Sequence, residues 1–99
     1  MPDVIITRAD SATAARYAAR VPGFDGEGEL TLSKLSATVV VADHTGVPDS
    51  MRGLGVAAAL VARLVADARA EGLRIVPQCS YVRALARRNE EAWADVMEL

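Results

Sequence analysis

His44-Thr45-Gly46-Val47-Pro48-Asp49-Ser50-Met51-Arg52-Gly53-Leu54-Gly55-Val56-Ala57 joins two segments of different hydrophobic period. Before it, Thr38-Val39-Val40-Val41-Ala42 is a continuous, mostly β-branched run, which reads as a strand covered on both faces. After it, Leu54, Ala57, Ala58, Val61, Leu64, Val65 and Ala68 recur at three- and four-residue spacing, with Arg63, Asp67, Arg69 and Glu71 largely on the other side. That pattern predicts an amphipathic helix from Leu54 to Glu71, about 18 residues or roughly 27 Å long. Gly72 is placed to stop it. Leu73-Arg74-Ile75-Val76-Pro77 follows as a short strand whose proline forces a bend or an edge position. Strand, helix, strand is a right-handed crossover, so strands 37–43 and 73–78 are expected to be parallel neighbours.

Working outward, the first half keeps a period of two. Val4-Ile5-Ile6-Thr7 is a β-prone start. In Ala9 to Val21 the alternation of Tyr17, Ala19 and Val21 with Arg16, Ala18 and Arg20 favours a strand over the helix its alanines would allow. Phe24-Asp25-Gly26-Glu27-Gly28 supplies a reversal, and Glu29 to Leu35 alternates as a half-buried strand. Beyond the crossover, Ser80 is expected to cap a helix through Val82, Leu85 and Ala86 to Arg88. Glu90 to Leu99, with Trp93, Val96 and Met97, predicts a short terminal helix. The fold class is α/β with a mixed sheet of about five strands: an antiparallel meander followed by a βαβ crossover.

Composition narrows the function. The 99 residues predict one small domain, 1–99, with a thin core and room for a monomer or weak homodimer. Nineteen alanines thin that core further, so each Val, Leu and Ile carries more of its energy. A net charge of −2 gives no electrostatic case for nucleic acid. No apolar run reaches the roughly 20 residues of a membrane span. Met1-Pro2-Asp3 starts acidic, without the pattern of a signal peptide. The single cysteine, Cys79, can form neither an internal disulfide nor a zinc site, and a cytoplasmic location is expected.

Gly53 and Gly55 at the start of the long helix let backbone approach a ligand, and free N–H groups there suit an anion such as a diphosphate. Gly53-x-Gly55-x-x-Ala58 is not a dinucleotide fingerprint, because ten residues separate it from the preceding strand. No Gly-Lys-Ser/Thr follows, which excludes a Walker loop. Val47-Pro48-x-x-x-Arg52-Gly53-x-Gly55-Val56-Ala57 instead resembles the acetyl-CoA loop, Arg/Gln-x-x-Gly-x-Gly/Ala, of the GNAT superfamily of N-acetyltransferases. His44-Thr45-Gly46-Val47-Pro48 and Val76-Pro77-Gln78-Cys79-Ser80-Tyr81-Val82 resemble the two signatures of its very short, single-domain YjdJ-type branch. The chain departs from that branch near its end: Arg88-Asn89-Glu90-Glu91-Ala92-Trp93 stands where an Arg-His-Pro-Glu-like run is usual.

The resemblance implies an acyl-CoA N-acyltransferase fold and acetyl transfer from acetyl-CoA to a primary amine, a protein lysine, an N-terminus or a small amine. It implies that the backbone of Gly53, Leu54, Gly55, Val56 and Ala57 cradles the CoA diphosphate, with Arg52 adding charge. Main chain around Thr45, Gly46 and Val47 would pair with the pantetheine arm. His44, the only histidine, is the candidate base for the incoming ammonium. Cys79 is expected to converge with His44 on one cleft, lining the acetyl pocket or accepting the acetyl group. Tyr81 would supply a hydroxyl to the departing thiolate or pack over the cofactor. Arg83, Arg87 and Arg88 form a helix face able to attract an acidic substrate or the CoA 3′-phosphate. The rival reading from another class is a non-catalytic acyl-CoA-binding or protein-interaction module.

Overall fold

The alternation read from the sequence becomes a sheet with one covered face. In the computed structural model, which describes residues 3–98, the elements run β1 (Ile5–Asp10), β2 (Ala14–Arg20), β3 (Gly28–Lys34), β4 (Val39–Gly46), α1 (Val56–Glu71), β5 (Arg74–Pro77), α2 (Ser80–Arg88) and α3 (Glu90–Trp93). Met1 and Pro2 of the acidic start Met1-Pro2-Asp3, and the last residue of the expected terminal helix, Leu99, lie outside the described residues. The strands stand in the order β1-β2-β3-β4-β5. The first four pair antiparallel and β4 pairs parallel with β5, so the meander and the crossover are both observed. Tyr17 pairs with Leu30, and Leu32 with Ala42, placing these buried side chains on the face that receives α1.

Helix α1 buries Val56, Leu60, Val61, Leu64, Val65 and Ala68. The stripe is rotated from the expected one. Val56 and Leu60 are fully covered, whereas Ala57 is half-buried and Ala58 exposed. Three consecutive alanines carry little information about which side faces inward, and the larger side chains decide it, at about 1.5–3 kcal/mol for each one fully buried. The helix starts at Val56 rather than Leu54 and ends at Gly72, whose φ is +69° and whose N–H donates to the Ala68 carbonyl. Gly28 allows its close approach: a Cβ there would lie 2.9 Å from Val56 Cγ1.

Three local expectations change. The β-branched run of β4 is fully buried on one side only: Val40 and Ala42 are buried, Val39 and Val41 half-buried. Its residue types reflect a strand with neighbours on both edges, which does not require cover on both faces. Ser80 does not cap α2; it is the first helical residue, and Cys79 occupies the capping position. The terminal helix stops at Trp93, because Met97 instead forms a parallel bridge with Ile75 on the outer edge of β5. Val96 and Glu98 join that edge through backbone bonds to Ile75 of 2.6 and 2.8 Å.

The carboxyl half of α1 closes against β1 and β2 through charge. Asp67 and Glu71, expected on the outward side, turn toward the sheet. Tyr17 is fully buried, and its hydroxyl donates to Asp67 Oδ2 at 2.6 Å. Arg8 Nη1 donates to Glu71 at 2.6 Å and Asp67 at 3.2 Å, while its Nε reaches Asp10 at 2.8 Å. Arg8 and Arg63 also lie 5.6 and 5.9 Å from the centre of the Tyr17 ring. Burial and the Asp67 carboxylate push the Tyr17 phenol well above the ordinary tyrosine range. Burial works against the Asp67 charge, but donation by Tyr17, Arg63 and Arg8 outweighs it and holds that carboxyl below its usual value.

Candidate active site

The site begins where β4 and β5 part. Their pairing ends at Ala42 and Pro77, where β5 stops on a residue with no N–H to donate. Strand β4 continues to Gly46, paired only with β3, so the β5-side edge of residues 43–46 has no strand partner among the described residues. A register shift opposite Thr31 and Leu32 makes Asp43 the extra residue of a bulge, a device that re-aims side chains and bends a strand. On the far side, the Cys79 N–H donates to the Ala42 carbonyl at 2.8 Å and anchors the amino end of α2.

Cys79 lies against Thr45. Its thiol donates to the Thr45 hydroxyl with a sulfur-to-oxygen distance of 3.6 Å. Burial pushes the Cys79 thiol up. The N–H groups of Val82 and Tyr81 at the start of α2, together with the Thr45 hydroxyl and N–H, outweigh that and hold it below the ordinary cysteine value. His44 stands opposite Thr31 and is exposed. Its Nε2 lies over Gly46, where a Cβ would come within 3.0 Å of it. Successive strand residues point to opposite faces, so His44 and Thr45 look to opposite sides of β4. The structure therefore brings Cys79 to Thr45. Among the described residues, no hydrogen bond joins His44 to Cys79.

Beyond β4, Met51 is fully buried and pins a short 3₁₀ turn over Asp49–Met51. Val47 and Leu54 pack against the core. That packing leaves their main chain to offer toward a ligand. Gly53 and Gly55 follow at φ +80° and +77°, with no atom within 4 Å of the place either Cβ would occupy. No side chain caps α1 and no acidic residue lies in its first turn. The N–H groups of the first turn thus emerge without intrahelical partners. They border a cavity of about 270 Å³ reached by Val47, Arg52, Gly53, Ala57 and Tyr81. Arg52 is exposed and pairs with Asp49 at 2.9 Å at the rim. Arg83 braces the end of β5: its Nε donates to the Pro77 carbonyl and its Nη2 to the Gln78 carbonyl. A diphosphate suits this cradle, where empty space replaces side chains and uncapped amides supply donors.

Thr45 and Asp43 were not separable by residue type alone. The signal for Thr45 was its alternation with His44, and the bulge that exposes Asp43 has no mark in the sequence.

A mixed α/β sheet thus opens beyond β4 onto a glycine loop and a bare helix start. The family model described as GCN5-related N-acetyltransferase matches residues 16–96. The chain belongs to that family. A solved structure, the NMR solution structure of a GCN5-like protein from Staphylococcus aureus, superposes with a TM-score of 0.72 at 25% identity. The match covers 99% of this chain and 91% of the other. No curated protein matches the chain. No helix among the described residues is long and apolar enough to cross a membrane.

Proposed function

We propose that the protein transfers acetyl from acetyl-CoA to a primary amine by direct attack in a ternary complex. The observation that carries this reading is the uncapped start of α1 beside Gly53 and Gly55, opening on a cavity of about 270 Å³. When bound, acetyl-CoA supplies a thioester carbon open to attack. The backbone of Gly53 to Ala57 binds its diphosphate, and the unpaired edge of Thr45 to Val47 holds the pantetheine arm as an added strand. Cys79 and Thr45 line the acetyl end on one side of β4, and Tyr81 flanks the cofactor. His44, on the other side, takes a proton from the incoming ammonium, whose pKa near 10.4 otherwise keeps it from acting as a nucleophile. The nitrogen lone pair forms the amide bond as the carbon–sulfur bond breaks, and the second proton lost by that nitrogen would pass to the leaving sulfur, giving the CoA thiol.

Two approaches from opposite sides of one strand account for the separation of His44 from Cys79. The thiolate-favouring surroundings of Cys79 support a second route, in which its sulfur accepts the acetyl group before the amine does. Release of free CoA across a panel of amines tests the reading. Expected are turnover with at least one amine and a fall in kcat of about 100-fold in His44→Gln, with CoA affinity retained. Tight CoA binding without release on any amine makes the protein a binding module instead. Intact mass under single turnover separates the routes, an acetyl adduct on Cys79 marking the covalent one.

A further inference from the structure

We infer that the uncovered face of the sheet binds the acceptor as an extended, lysine-bearing peptide, and that Asp43 holds a second cation of that peptide. The inference rests on the acetyl-transfer reading above and names its acceptor.

Helix α1 packs against β2 and β3 from one side. On the opposite side a groove of about 450 Å³ runs from β1 to β4, floored by small residues such as Ala9, Ala14, Thr31 and Ser33. It is far wider than one amine side chain requires. Charge selects the occupant. Three carboxylates are carried on strands: Asp10, Glu29 and Asp43. Asp10 is paired with Arg8 and Lys34, and Glu29 with Arg16. Asp43 has no cation partner among the described residues; Ser33 Oγ donates to it at 2.5 Å and fixes its direction. Arg16, the cation at the groove, is already held by Glu27 and Glu29. The groove therefore offers one oriented, uncompensated negative charge.

The bulge sets that charge on the uncovered face beside His44, the residue that meets the incoming amine in the reading above. Two side chains at i and i+2 of an extended peptide project to one face about 7 Å apart, so one lysine meets His44 while the other pairs with Asp43. Asp43 serves the second cation and not the reacting one, since a carboxylate beside an ammonium keeps it protonated.

The test is calorimetric binding, with CoA present, of two alanine-based peptides: one with a single lysine, one with two lysines separated by one alanine. The wild type should bind the two-lysine peptide about two- to fivefold tighter, the range of an exposed ion pair. Asp43→Asn should bring the ratio to about one, and Asp43→Lys should invert it, each variant being checked for an unchanged circular dichroism spectrum. A preference that survives both substitutions, or a wild type that favours putrescine over either peptide, overturns the inference. An Asp43-dependent peptide preference in a protein that releases no CoA from acetyl-CoA would keep the groove and sink the acetyl-transfer reading.

Discussion

The two ends of α1 obey the same helix chemistry and are finished in opposite ways. At the carboxyl end Gly72 closes the backbone, Arg69 pairs with Asp95 at 2.8 Å, and Asp67 and Glu71 are saturated by Tyr17 and Arg8. At the amino end nothing caps, nothing acidic stands in the first turn, and both glycines face empty space. A helix that needed only stability would carry Ser, Thr, Asp or Asn before Val56, worth roughly a few tenths of a kcal/mol over glycine. The difference teaches where the molecule holds itself together and where it leaves donors for something else.

The contrast is most exposed to Ala58→Glu, which puts a carboxylate in the first turn at an exposed position on the cavity wall. Calorimetric titration should show CoA affinity lowered by about tenfold, while thermal unfolding shows the free protein stabilised by about 0.3–1 kcal/mol. The opposite signs are the point. A loss of stability would mean that the helix start is closed already. At the other end, Tyr17→Phe removes one donor to Asp67 and should lower stability by about 1 kcal/mol in urea unfolding, with CoA affinity unchanged. A change in affinity would show the two ends to be coupled.

The smallest effect is acid sensitivity. The Asp67 carboxyl sits below its unfolded value, so its contribution is present above about pH 4 and is lost as pH falls through the lower folded value. Asp67→Asn should flatten the stability curve in that acid range and leave its slope near neutrality alone.

Much of this was legible locally. The three- and four-residue recurrence from Val61 to Ala68, the Gly72 stop and the glycines of the loop each act within a few residues of themselves. So does the alternation around Tyr17 that gave β2. What escaped the sequence lies across it. Tyr17 and Asp67 are 50 positions apart, and a phenol needing a partner does not say which carboxylate will meet it. Ala57-Ala58-Ala59 blurs the inward face, because a methyl group gains little from either orientation. Met97 leaves its helix for the edge of β5, a choice made by unpaired backbone elsewhere in the chain. His44 and Cys79 were expected to meet because both end neighbouring strands. The alternation at Thr45 directs their side chains to different sides.

Arg8 has one more effect. It lies on β1, the outermost strand of the sheet, yet points inward from that border into the cluster of Asp67 and Glu71. A second chain pairing along β1 would crowd that charge cluster and disturb its ion pairs. Inward-pointing charges on border strands discourage such edge-to-edge growth. The residue that fastens the far end of α1 thus also sets charge along an open border of the sheet.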